Sequence, residues 1–152
     1  MLTGQREKTA AIASNDSTIR WSPDGSRIAY ATPAGELALY DFASRQVRLL
    51  GSGLYPAWSP DGQSLAFATE YEIRITDLSN PREMTVYRQP PDDPFLGAYL
   101  GWSPDGRYIS FNSSTGQFPN YRACRLIDLR DKSVKTIFRG TGYCGPWLPN
   151  LK

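Results

Sequence analysis

Three aspartates, Asp24, Asp61 and Asp105, recur in one local setting, Ser-Pro-Asp-Gly, and acidic groups repeated this way raise the question of metal binding. The turn chemistry of that setting answers it better: each Asp has a backbone to cap in every copy, so no metal is expected. The two cysteines, Cys124 and Cys144, form no Cys-x-x-Cys pair and are too few for a disulfide framework. They read as small buried residues, with a single bridge between them as the alternative. Gly140 to Gly145 matches the G-x-G-x-x-G phosphate loop, but Pro146 and Pro149 follow and deny it the helix such a loop needs. There is no histidine, which excludes a self-contained Ser-His-Asp triad, a Cys-His pair and a His-ligated zinc. Neither a P-loop nor a G-x-S-x-G elbow is present. The expectation is a chain that is not an enzyme and carries no cofactor.

Charge and hydropathy narrow the partners. Seventeen Lys and Arg against fifteen Asp and Glu leave a net +2, with no basic cluster, so nucleic acid is not expected as a partner. No apolar run reaches the length of a bilayer span, so no membrane insertion is expected. Met1 to Ser14 mixes Arg6, Glu7 and Lys8 with small residues and holds no signal-peptide core. The sequons at Asn15 and Asn112 matter only in a eukaryotic secretory setting, which nothing else supports. Leu, Ile, Val and Phe make up only about a fifth of the chain, near the lower limit for a folded domain. Four Trp and nine Tyr compensate.

The elements that position these residues come from a repeat. Trp21-Ser22-Pro23-Asp24-Gly25 recurs as Trp58-Ser59-Pro60-Asp61-Gly62 and as Trp102-Ser103-Pro104-Asp105-Gly106, with a degraded fourth copy from Trp147 to Leu151. The Trp-to-Trp steps are 37, 44 and 45 residues. After each full copy come Ile28-Ala29-Tyr30, Leu65-Ala66-Phe67 or Ile109-Ser110-Phe111, then an alternating run that ends in Asp41, Asp77 or Asp128. A last short segment follows each: Val47 to Leu50, Met84 to Tyr87, Val134 to Phe138. Each repeat therefore predicts a four-stranded antiparallel meander of propeller-blade size. Ser-Pro-Asp-Gly predicts a type I turn with Pro at i+1 and a positive-φ Gly restarting the ladder. The Trp would wedge between neighbouring blades. Residues 120–139 lack Gly and Pro and tolerate a helix, but their alignment with the other repeats predicts strands; residues 5–13 stay ambiguous.

The Trp-Ser-Pro-Asp-Gly signature, the Ile-Ala-Phe-like strand and the Asp-ended strand together resemble the TolB-type β-propeller repeat, a WD-repeat-like unit, over residues 18–152. That blade type occurs in periplasmic TolB-like proteins, in peptidase-associated propellers and in many bacterial proteins. The resemblance implies an all-β scaffold that binds protein or peptide. The expected organisation is an N-terminal segment over 1–17, blades at 18–53, 54–98 and 99–142, and the first strand of a degenerate fourth repeat at 143–152. Closed propellers have about 4–8 blades. A segment of a longer propeller, or a protomer that completes its ring by oligomerising, is therefore expected.

In such meanders the motif turns occupy one end of every blade, and both long insertions fall at the other. One runs from Arg88 to Ala98 and the other from Asn112 to Arg122. Asp92, Asp93, Phe95, Tyr99, Phe118 and Tyr121 are the candidate partner-binding residues there, since long loops on rigid scaffolds carry function. The plainer reading is that these aromatics cover the blade ends. Two other functions fit the blade type. One is the gating propeller of a prolyl-oligopeptidase-type peptidase whose catalytic domain lies elsewhere. The other is a sugar-binding propeller using aromatics such as Trp147 and Tyr121.

Overall fold

The computed structural model describes residues 19–91, 95–96, 99–114, 122–140 and 144. It is all-β: no helix forms among the described residues, and the strands build three separate antiparallel meanders. The first sheet is β1 (Ile19–Trp21), β2 (Arg27–Ala31), β3 (Glu36–Asp41) and β4 (Gln46–Ser52). The second is β5 (Leu54–Trp58), β6 (Ser64–Ala68), β7 (Glu72–Asp77) and β8 (Glu83–Arg88). The third holds β10 (Gly101–Trp102), β11 (Tyr108–Ser114), β12 (Arg122–Asp128) and β13 (Val134–Gly140). A short β9 (Phe95–Leu96) pairs with the same strand as β10, opposite Ser113 and Ser114. The first strand of blade three is thus made in two pieces, and its sheet reaches back into the insertion between blades two and three. Residues 120–139, where a helix was the alternative, carry β12 and β13 from Arg122 onward.

The motif turns form as their sequence dictates. The amides of Gly25, Gly62 and Gly106 donate to the carbonyls of Ser22, Ser59 and Ser103 at 2.9 Å, and all three glycines have φ near +70°. That conformation is open to Gly at no steric cost. Within each turn the Asp carboxylate accepts from the hydroxyl two residues earlier, at 2.6, 2.5 and 2.5 Å, and from the backbone amide two residues later. These bonds, the serine hydroxyl first, hold Asp24 down to about 2 from 3.8 and lower Asp61 and Asp105 likewise. Asp41 and Asp77 cap the third-to-fourth strand turns in the same way, through Ser44 and Ser79.

The core lies in the seams between sheets. Ala29, Leu37 and Leu39 of blade one meet Trp58, Leu65, Phe67 and Leu78 of blade two. Ala66, Ile75 and Val86 of blade two meet Ile109, Phe111 and Ile127 of blade three, with Trp102 and Leu129 packed against them. Each seam is also tied by one indole: Trp58 Nε1 donates to the Arg20 carbonyl and Trp102 Nε1 to the Ala57 carbonyl, both at 3.0 Å. Trp58 and Trp102 are therefore wedges that also bond to the blade before them. At the first seam Arg27 spans the gap, its guanidinium lying over the Trp58 ring and donating to the Gly62 carbonyl.

The cysteines do not remain free thiols. Cys124 and Cys144 form a disulfide, with Cα atoms 5.3 Å apart. The reading of two separate buried thiols is corrected here: the residues are buried, as expected, but they are joined, with Cys144 lying against blade three. The Cys144 amide also donates to Asn112 Oδ1 at 2.8 Å, a second tie to blade three.

Candidate binding site

The end of the blades opposite the motif turns is built from the second-to-third strand turns and the blade-to-blade connections. In blades one and two a threonine organises the turn. Thr32 exchanges backbone bonds with Glu36 and Gly35, and Thr69 with Glu72. Each threonine hydroxyl also accepts the amide of that Glu at 3.2 Å. Between these two turns opens a cleft of about 590 Å³, lined among others by Gly53, Leu54, Tyr55, Glu70, Tyr71 and Gln89. That is within the size range of ligand clefts, about 300–1,000 Å³. Gly53 is required at its floor, because a Cβ there would stand 2.6 Å from Phe67 Cδ2. Tyr55 holds a left-handed backbone, φ 55°, where β5 bulges.

Apolar and acidic groups share the rim. Leu54 and Tyr71 are exposed, Tyr71 at 59%. The Tyr71 hydroxyl donates to Glu70 Oε1 at 2.6 Å, a bond that together with the carboxylate's charge raises the phenol above its usual range. No ion pair reaches Glu70 from the described residues. Behind the rim, the nearly buried Glu72 carboxylate accepts from Arg74 and Arg88, each at 2.6 Å, and from Thr85. Arg74 first, then Arg88, depresses its carboxyl. This network pins the strand that leads into Gln89.

The sequence-derived site maps onto this end only in part. Tyr99 is described: it is exposed, has φ 73°, and stands three residues before Trp102, as Tyr55 stands before Trp58. Tyr99 does not line the cleft beside Tyr71. It borders a second opening of about 520 Å³ along the first strands, with Arg20, Trp21, Trp58 and Trp102. Phe95 is described through its backbone, paired opposite Ser114. Asp92, Asp93, Phe118 and Tyr121, like Trp147 and most of Gly140 to Gly145, lie outside the described residues. Leu54, Glu70 and Tyr71 were not singled out from the sequence. Their available signal was an acid and a large aromatic in a two-residue turn between strands that bury nearly all their apolar residues.

Among the described residues no three acidic or cysteine side chains are grouped to hold a metal ion, and no helix is long and apolar enough to cross a membrane.

No protein-family model matches the chain, and no curated protein matches it by sequence. Solved structures do match by fold. Oligogalacturonate lyase from Vibrio parahaemolyticus superposes with a TM-score of 0.67 at 15% identity, over 82% of this chain and 39% of that one. A putative TolB from Agrobacterium tumefaciens gives 0.59 at 21% identity, over 78% of this chain and 47% of that one. The tricorn protease gives 0.57 at 17%, over 78% of this chain and 12% of that one. The chain thus spans less than half the length of each. These likenesses establish the fold as that of a β-propeller, three blades of it in this chain, and the resemblance to TolB-type blades holds at the level of fold.

Proposed function

We propose that the chain is a non-enzymatic propeller module that binds protein or peptide at the end opposite its motif turns. The observation that carries this reading is the cleft between blades one and two. Its rim offers apolar anchoring surface at Leu54 and Tyr71 beside a carboxylate, Glu70, with no cationic partner among the described residues. Exposed aromatics beside a pocket are typical binding anchors. Two rigid sheets hold the rim, so little ordering entropy opposes binding. A peptide with an apolar residue next to Lys or Arg suits this chemistry. Selection from a displayed peptide library tests it. Sequences of that kind should be enriched, and Tyr71→Ala should weaken them about tenfold or more with an unchanged melting curve. Selected peptides that bind equally well to Tyr71→Ala would refute the site.

A second reading, the gating propeller of a peptidase whose catalytic domain lies in another part of the system, draws support from the fold likeness to the tricorn protease. It agrees with the absence of histidine from this chain.

A further inference from the structure

Glu70 is the acidic side chain among the residues lining the cleft between blades one and two, and its carboxylate is half engaged. The Tyr71 hydroxyl donates to Glu70 Oε1 at 2.6 Å, a short, charge-assisted bond. Glu70 and Tyr71 are neighbours in the turn between β6 and β7, so the pair forms locally. That bond, then the carboxylate's charge, raises the phenol, which keeps its proton and remains a donor. Glu70 Oε2 accepts no hydrogen bond from the described residues.

Other carboxylates in the molecule show what such a bond goes with. Asp24, Asp61, Asp77 and Asp105 each accept a serine hydroxyl at 2.5–2.6 Å, and among the described residues none of them holds an arginine. Arginine sits instead on Glu72, Glu83 and Asp128, at 2.6–2.9 Å. The hydroxyl that reaches one of these three is that of Thr85, at 3.3 Å from Glu72. Glu72 gives Oε2 to Arg74 and Oε1 to Arg88. Asp128 gives Oδ2 to Arg107, and Arg130 reaches both of its oxygens. A short hydroxyl bond and a guanidinium therefore occupy different carboxylates. The physical reason is shape: a guanidinium is a planar fork suited to two oxygens, whereas an ammonium is a compact point charge that needs one.

The rest of the cleft suits an ammonium as well. Ser52 and Tyr55 line it, and their hydroxyls make no hydrogen bond among the described residues. With Glu70 Oε2 they provide three separate acceptors, one for each N–H of a lysine head. Leu54 and the Tyr71 ring are exposed beside them and can cover a four-carbon stem.

We infer that this cleft selects lysine over arginine at the cationic position of its peptide, and that Tyr71 is the specificity-determining residue, its hydroxyl holding one Glu70 oxygen away from a guanidinium fork. The inference rests on the peptide-binding reading above and narrows it from either cation to one.

Titration of the isotope-labelled full chain, followed by its amide chemical shifts, tests the selection. The probes are the peptide Gly-Ser-Leu-Lys-Ser-Gly and its counterparts with arginine or norleucine in place of lysine. The lysine peptide should bind about threefold more tightly than the arginine peptide and about tenfold more tightly than the norleucine peptide. Tyr71→Phe keeps the ring and frees the oxygen, and should bring the lysine-to-arginine ratio to about one or below. Glu70→Gln should lower lysine binding to the norleucine level. The amide spectrum of each variant reports its fold. A wild-type ratio of one or below, or a ratio unmoved by Tyr71→Phe, would overturn the selection and leave the peptide cleft standing. Shifts from none of the three peptides, or shifts unaltered by Tyr71→Ala, would refute the cleft and the selection together.

Discussion

At the scale of single residues, the repeated aspartates work as turn caps, and that role makes them sensitive to acid. The folded pKa of Asp24 lies near 2 against 3.8 for the free side chain, and Asp41, Asp61, Asp77, Asp105 and Asp131 are shifted in the same direction. Depressed carboxylates contribute stability that is complete above the unfolded value and lost as pH falls through the folded one. The melting temperature should therefore hold steady down to about pH 4 and drop between about pH 4 and 2. A profile flat across that window would contradict the capping role. The turn roles of Asp24, Asp61 and Asp105 were legible because one pentapeptide occurs three times. Tyr71 and Glu70 occur once, so no internal comparison marked them, and only the fold reveals that their turn borders a cleft.

At the scale of elements, every strand expected after the motif copies forms, because alternation of apolar residues with fixed turn chemistry leaves one register that buries the correct face. Two features of blade three escaped this logic. Its first strand comes as two pieces, β9 and β10, with a left-handed Tyr99 just before the second. Its far face is stapled by the Cys124–Cys144 bridge. Spacing alone left the bridge undecided, because pairing depends on where the chain goes after β13. The bridge closes a loop of about twenty residues and should contribute about 2–4 kcal/mol. Denaturant unfolding with and without reductant measures this, and a shift below about 0.5 kcal/mol would show that the bridge only decorates a blade already stable without it.

For the whole molecule, stability resides in seams, and a chain of three sheets has two of them. The core clusters among the described residues are seam clusters. The blade count and blade order were legible from the Trp-to-Trp steps. The exposure of the stacked Trp21 and Phe42 was not, because it becomes visible only when Trp21 is compared with the buried Trp58 in three dimensions.

The outer strands β4, β8 and β13 are the open edges of their sheets, and such edges can leave one molecule and pair in another. Strand β13 differs from the other two, because it lies inside the covalent loop closed at Cys124 and Cys144. With the bridge intact it cannot be traded alone, and only the whole β12–β13 hairpin can cross to a neighbour. Blade three is thereby protected against strand exchange at the edge where its sheet would otherwise be most easily unzipped.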